Sequence, residues 1–485
     1  MGEFLPVVRV IGLVLVLFSG TMVLPLAMSW ALDDGAQHAY DEAIVLTLAA
    51  GVLLSAVTWR HQRELKVRDG YLIVVFSWAL LPLFAAIPLL IYLPTLSFTD
   101  AYFECMSGLT TTGATVLSNL DRLPPSINVW RAQMHWVGGL GIILLAVAIL
   151  PLLGVGGRQL LKAEAPGPMK DTRLTPRIAE TAKGLWKVYI VFTLLCWLSF
   201  IAAGLDWIEA LIHTFSVMGL GGFSSHDASL GFFNSPAVEA VAALFALLAG
   251  LNWATHFIVW RQRSLMFYLR DPEVRVFLLV LGASCVGVTL VLRLYEVYPD
   301  FLSAFRFAAF NVISMATTLG LVTTDFAQWP FIAPLWMLFL CSFITCSGST
   351  GGGIKMIRAI ILYKQVFREL IRSLHPNVIR PVKLGRETVP NNIVFAVLAF
   401  AFVYMASLVS LTLVLVASGL DVVTAFSAVV ACINNTGPGL GQVGPSATYA
   451  VLTDFQTWVC TFAMMLGRLE LFTLLVVLTP AFWRK

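Results

Sequence analysis

The sequence predicts an all-α integral membrane protein. Two transmembrane helices come first, followed by four repeats around one central axis. Each repeat holds two spans, with a short half-helix and a glycine-bearing strand between them. Three observations carry this prediction. Of the 485 residues, 59% are hydrophobic and 12% charged, about half the charged share of a soluble domain, and the mean hydropathy is +0.85. Apolar runs of about 20 residues recur, enough to cross a hydrocarbon core of about 30 Å. Between those runs stands a polar stretch, TTTGATV at 110–116, which returns three times in altered form.

The apolar runs read as spans at 7–29, 41–59, 72–93, 130–153, 185–204, 236–260, 274–292, 331–362, 392–417 and 456–480, ten crossings in all. For the first, the small residues of LPLAMSWA leave a secretory signal as an alternative, against which stand its length and an n-region holding only Arg9. The division that follows is 1–69 for two N-terminal transmembrane helices, then repeats at 70–157, 158–263, 264–375 and 376–485. The seven cysteines are scattered and form no CxxC pair, so neither a metal site nor a disulfide framework is indicated.

Lysine and arginine set the orientation. Segments 60–68, 158–187, 261–275, 355–386, the C-terminus and Arg9 together hold 26 of the 31. By the positive-inside rule these lie in the cytoplasm, and so do both termini. Arg122, Arg131, Arg293 and Arg306 fall on the other side, and Arg468 is left inside a span. Segments 205–235 and 418–454 contain no lysine or arginine and face outward.

The repeat appears when AYFECMSGLTTTG (101–113) is set over ALIHTFSVMGLGG (210–222), AAFNVISMATTLG (308–320) and AFSAVVACINNTG (425–437). Each begins with Ala and ends with Gly, and Ser107, Ser216, Ser314 and Ala431 stand six residues before that Gly. An apolar helix of about 10 residues is too short to cross, so these are re-entrant half-helices. Asp100, Asp206, Asp300 and Asp421 sit near their starts, where caps and dipole-complementing acids belong. The chain then returns outward as extended backbone. At membrane depth that backbone survives only when buried in protein or lining a watery path.

Such strands suit a dehydrated cation. Stripping water from a monovalent ion costs on the order of 20 kcal/mol in the Born limit, and rings of backbone carbonyls can replace the shell. Glycine permits the backbone angles that turn successive carbonyls inward. The candidate ligands are Thr111, Thr112 and Gly113; Leu220, Gly221 and Gly222; Thr318, Leu319 and Gly320; Asn435, Thr436 and Gly437, mostly through backbone carbonyls. Tight turns between helices are the alternative for any one copy; four copies in register favour the filter.

The motifs TTTGATV, GLGGFSSHDAS, TTLGLVTTDF, NNTGPGLG and SGSTGGGIKMIR together resemble the Trk/Ktr/HKT superfamily of potassium transporters, and within it the bacterial TrkH subunits. The resemblance covers essentially the whole chain. It implies four M1–P–M2 (potassium-channel-like) repeats around one central pore, K+ as the transported ion, and a multi-pass protein of the bacterial cell inner membrane. It also implies a homodimer and a TrkA-like cytoplasmic ring of nucleotide-binding regulatory subunits. The strands depart from the TVGYG pattern of tetrameric potassium channels: one glycine position is common to all four, and Ala114, Phe223, Leu321 and Pro438 follow it. Fewer equivalent carbonyl rings are expected, which puts high potassium-over-sodium discrimination in doubt. In plant relatives a serine at the first-repeat glycine accompanies sodium transport, so Gly113 leans toward potassium.

CSGSTGGGIKMIR (346–358) interrupts the 331–362 span, and helix interiors lose about 1 kcal/mol per glycine relative to alanine. It is not a phosphate loop: Ile354 precedes Lys355, Met356 follows, and no strand leads in. A packing kink is one reading. The other, which the resemblance supports, is a gating loop below the strands formed by Gly348, Ser349, Thr350, Gly351, Gly352 and Gly353. Arg468 costs about 2.5–3.5 kcal/mol at mid-span and needs partners. A local pair with Glu470 or packing against carbonyls elsewhere is the bland reading, and the sharper one has it face the pore below the strands and donate to carbonyls of 348–353. Asp121, Asp227 and Asp325 follow three of the strands and offer either an acidic outer mouth or caps and solvated loops. His213 and His256 lack metal spacing and read as core or interface residues. The basic 158–187 loop offers contact to membrane lipid or to a protein partner, which the sequence leaves open.

The leading reading is therefore a potassium pore opened by a cytoplasmic partner, with no nucleotide site on this chain and no role for nucleic acid. A coupled K+/Na+ or K+/H+ symporter working by alternating access is the alternative, although that mechanism favours inverted or two-fold repeats. No paired carboxylates, nucleophile triad or cofactor loop stands out, so an enzyme is not expected.

Overall fold

The computed structural model describes residues 4–60, 63, 65–141, 178–385 and 387–484. Residues 142–153 of the expected fourth span and 158–177 of the basic loop lie outside the described residues. The fold is helical. Its one sheet among the described residues is a two-strand hairpin that pairs Lys383 with Thr388 and Leu384 with Glu387. Among the described residues, six helical stretches are long and apolar enough to cross a membrane: Leu5–Leu32, Gln37–Val57, Arg68–Tyr92, Lys183–Ala202, Pro272–Leu294 and Asn391–Ala417.

The first stretch packs as a span. A methyl added at Gly12 would come within 2.8 Å of the Gly51 carbonyl oxygen, so the helices Leu5–Thr21 and Gln37–Val57 touch backbone to backbone. All seven cysteines are buried and free.

Four short helices stand between the spans: Phe98–Leu109, Trp207–Gly219, Phe301–Ala316 and Val422–Ile433. Each begins on a side-chain cap. Asp206 accepts from the Ile208 amide at 3.1 Å, Asp300 from Ser303 at 2.8 Å, and Asp421 from Thr424 at 3.0 Å. In the first, Ser97 is the cap, accepting from the Asp100 amide at 3.1 Å, and Asp100 sits in the first turn. The ends also match. The residue before the aligned glycine donates back to the carbonyl five residues earlier: Thr112 to Ser107 O, Gly221 to Ser216 O, Leu319 to Ser314 O and Thr436 to Ala431 O, all at 2.8–2.9 Å. This is the bond that closes a helix C-terminus through a left-handed residue. Thr111, Leu220, Thr318 and Asn435 supply that residue, with φ of 56°, 55°, 62° and 54°.

The spans after the strands differ from the sequence expectation. The expected 236–260 crossing is two helices, Pro236–Ala249 and Trp253–Gln262, bent by 91°. Gly250 closes the first, and Asn252 opens the second by accepting from the Ala254 amide at 2.8 Å. The expected 456–480 crossing is Asp454–Arg468 and Phe472–Leu478, bent by 113°. There Glu470 and Leu471 both hold left-handed backbone, φ 52° and 55°. The expected 331–362 crossing stops earlier than its glycines suggest: helix Ile332–Leu340 ends and Met356–Leu374 begins, leaving 341–355 irregular. The helix Pro125–Leu140 likewise stops at Gly141, φ 81°.

Candidate functional site

The four strands meet in cyclic order. A methyl on Gly113 would come within 1.9 Å of the Gly221 carbonyl oxygen, one on Gly222 within 2.4 Å of Leu319 O, and one on Gly320 within 2.3 Å of Thr436 O. The cycle closes at Gly437, whose methyl would lie 2.7 Å from Thr112 O. Real Cβ atoms do not approach that closely, and all four glycines have positive φ, from 78° to 92°, so both sterics and backbone conformation call for glycine here. Thr111, Thr112, Thr318, Asn435 and Thr436 are fully buried. So are Leu220 and Leu319.

The position nine residues before each glycine fastens the strand differently in each copy. In the first, the carboxylate of Glu104 accepts from the Thr115 hydroxyl at 2.9 Å and the Val116 amide at 3.0 Å. In the second, His213 Nε2 lies 3.0 Å from the Ser224 hydroxyl. In the third, Asn311 Nδ2 donates to Thr323 Oγ1 at 2.8 Å. The fourth has Ala428, and its neighbour Ser427 takes over, accepting from the Leu440 amide at 2.8 Å. His213 is thus buried, in the interface between its half-helix and the strand. His256 does pack as core, 2.9 Å from Leu248 O.

Sequence reasoning passed over Glu104 and His135 and used Arg131 only to set orientation. Arg131 and His135 lie one helical turn apart on Pro125–Leu140, and both reach the second strand. Arg131 Nη1 donates to Ser224 O at 3.1 Å. His135 Nε2 accepts from the Phe223 amide at 3.2 Å while its Nδ1 lies 2.8 Å from Gly108 O, the pattern of a ring that donates with one nitrogen and accepts with the other. Arg131 Nε also donates to the Glu104 carboxylate at 2.9 Å, and the signal for that pair was present: an acid and a base, each near an apolar run, 27 positions apart.

Below the strands, the irregular segment 341–355 is wedged among the second, third and fourth copies. Cys346 donates to Gly250 O at 3.0 Å, and Gly348 O accepts from the Trp253 amide at 3.1 Å. Ser347 donates to Glu273 at 2.7 Å through its hydroxyl and 3.0 Å through its amide. The Thr350 hydroxyl donates to Met218 O at 3.2 Å, and Gly352 N to the Thr318 hydroxyl at 3.1 Å. A methyl on Gly352 would lie 1.9 Å from Asn434 O. Lys355 turns back on the segment and donates to Gly351 O and, at 3.3 Å, to Ser349 Oγ.

Arg468 meets this loop as the sharper reading expected. Its Nη1 donates to Thr350 O at 3.1 Å and Thr111 Oγ1 at 3.3 Å. Its Nη2 donates to the carbonyls of Gly138 and, at 3.1 Å, Gly139. Of the bland alternative, carbonyls elsewhere are thus among its partners, whereas the local pair with Glu470 is corrected, because Glu470 pairs with Arg358, Nη2 to Oε2 at 2.5 Å. Of the three outer acids, Asp325 caps a turn by accepting from the Ala327 amide at 3.2 Å. Asp227 accepts from the Asn119 and Leu120 amides at 2.9 and 3.1 Å. Asp121 is in contact with His226, whose other nitrogen faces Glu209 at 3.4 Å. Two of the three are therefore structural ties between the first two copies.

Apolar spans, capped half-helices and a closed ring of buried glycine strands together define a polytopic membrane transport protein. The chain belongs to the TrkH family of cation transport proteins, whose family model matches residues 37–485. It is 46% identical over 486 residues to the Trk system potassium uptake protein TrkH of Escherichia coli K12, with all of both chains covered. It is 45% identical over 481 residues to that of Halomonas elongata, covering 99% of each. The crystal structure of the potassium transporter TrkH from Vibrio parahaemolyticus superposes with a TM-score of 0.90 at 41% identity, covering 99% of this chain and 100% of that one.

Proposed function

We propose that this chain takes up potassium across the bacterial inner membrane through a pore lined by the four glycine strands. The observation that carries this reading is the cyclic closure from Gly113 through Gly222, Gly320 and Gly437 back to Thr112. It leaves four backbone segments facing one axis, where their carbonyls can replace a shed hydration shell. Relatives that match the chain end to end are named for potassium uptake. In this reading the protein is four M1–P–M2 repeats, 70–157, 158–263, 264–375 and 376–485, behind two N-terminal helices, with both termini cytoplasmic.

The segment Gly348–Gly353 is the gate. It sits under the strands and is held by Arg468 at Thr350 O. A separate soluble subunit, a TrkA-like nucleotide-binding ring, moves it, and the transporter works as a homodimer. The 355–386 segment offers that regulator a basic cleft of about 380 Å³ whose lining includes Lys364, Arg368, Arg380 and Lys383.

Purified protein in liposomes tests the core of this reading. Potassium flux driven by its own gradient, with no requirement for sodium or a pH gradient, is the expected result. Flux that appears only with a co-ion gradient would establish the coupled alternative.

A further inference from the structure

The buried Glu104–Arg131 pair does more than neutralise two charges. The Glu104 carboxylate accepts from Arg131 Nε at 2.9 Å and Nη2 at 2.8 Å. It also takes the Thr115 hydroxyl and the Val116 amide of the first strand. The same guanidinium donates to Thr115 Oγ1 at 3.2 Å and, across the copy boundary, to Ser224 O at 3.1 Å in the second strand. It also stacks over Phe223, 4.3 Å from the ring centroid. The two side chains are 0% and 1% exposed. Of the four equivalent positions, Glu104, His213, Asn311 and Ala428, only the first carries an acid.

We propose that Glu104 and Arg131 are positioning residues for ion selection, locking the first two strands into one rigid half of the ring. The proposal rests on the reading of the strands as a filter. Sodium is smaller than potassium, so carbonyls spaced for potassium must move inward to coordinate it well. A strand held from behind by a forked, charge-assisted network resists that contraction. The equivalent positions of the other copies hold their strands without an acid, as Asn311 does through two bonds to Thr323 and Ser427, beside Ala428, through two to Leu440, and the filter motif itself shares only one glycine position. Rigidity imposed by the pair compensates for that sparse motif. Buried charge is costly, and a pair that fixes one geometry is the circumstance in which it serves specificity.

The test uses the full-length chain in liposomes, with the potassium-to-sodium permeability ratio read from reversal potentials. Two variants probe the clamp. Glu104→Gln removes the charge while keeping the shape. Thr115→Val removes only the hydroxyl that both partners share, leaving the ion pair in place should Glu104→Gln fail to fold. Each is expected to lower the ratio about tenfold, the effect of one lost charge-assisted hydrogen bond. A merely structural role would lower the yield or melting temperature and leave the ratio of the folded fraction unchanged. A wild-type ratio well above one, retained by the folded variants, would overturn the clamp and leave the filter standing. A wild-type ratio near one would remove the filter reading and the clamp together.

Discussion

Arg468 reaches Thr350 O at 3.1 Å, joining the end of a helix in the last copy to the middle of the glycine loop in the third. The two residues lie 118 positions apart. The loop has backbone carbonyls without helical partners, and Arg468 is a cation at membrane depth in need of acceptors. Each resolves the other's deficit, and the same guanidinium also gathers the ends of Gly138 and Gly139.

If that contact holds the gate shut, Arg468→Ala should raise potassium flux in the absence of any regulatory partner. One lost contact of about 2 kcal/mol changes the open-to-closed ratio about thirtyfold. Deletion of 348–353 should act in the same direction, with selectivity nearly intact in both. Concentration-driven flux in proteoliposomes measures it. Variants that conduct no faster than wild type would reduce the loop to a packing kink.

A second tie runs from Arg358, at the start of the helix after the loop, to Glu470 in the break of the last helix. Arg358 also lies over Phe400, 4.1 Å from its centroid. Glu470→Gln keeps an acceptor but loses the charge, so its flux should rise by a smaller factor than that of Arg468→Ala, about three- to tenfold. A cycle with Arg358→Gln should show coupling of about 1 kcal/mol or more between the two positions. Additive effects would mean the pair is incidental to gating.

The four glycines should tolerate serine unequally. The distance from an added Cβ to the neighbouring carbonyl grows from 1.9 Å at Gly113 to 2.7 Å at Gly437. Gly113→Ser should therefore lower the melting temperature most and Gly437→Ser least. Folded Gly113→Ser should also admit more sodium relative to potassium. An unchanged permeability ratio in folded Gly113→Ser would take that residue out of the filter.

Outside the spans, the Asp121–His226 tie should make stability depend on pH. Burial pushes the imidazole of His226 down, but hydrogen bonds and charge from Glu209 and Asp121 more than reverse it, so its pKa lies above 6.5. Burial pushes Asp121 up, and the hydrogen bond and attraction of His226 outweigh that, holding it below 3.8. The contribution of His226 is complete below pH 6.5 and fades as pH rises through the raised value. That of Asp121 is complete above 3.8 and fades as pH falls through the depressed one. The tie is strongest in mildly acidic solution. His226→Gln should lower the melting temperature by about two degrees at pH 5.5 and by less at pH 8.5. Equal losses at both pH values would show that the contact is not charged.

Much of the architecture lay in linear patterns. The repeat was legible because local rules operate at each copy: an acid or serine caps a short apolar helix, a left-handed residue ends it, and a glycine follows two positions later. Asp206, Asp300 and Asp421 cap the helix starts they stand near, and Asp100 sits in the first turn of a helix that Ser97 caps. Lone charges in apolar runs marked Arg468 as needing partners, because an unpaired cation at that depth is too costly to leave.

The tertiary structure alone decided where the helices after the strands break and which partners the charges choose. Gly250 and Asn252 carry a stop and a start that could have been read, but Glu470 and Leu471 carry neither. Those two hold left-handed backbone, which costs about 1–2 kcal/mol for a residue with a Cβ and persists only when surroundings over-determine it. The Arg358 partner and the packing of buried Leu469 and Leu471 come from segments far along the chain. The Glu104–Arg131 clamp is of the same kind. Composition says that both charges must be satisfied, but only the folded ring brings Thr115 and Ser224 within reach of one guanidinium.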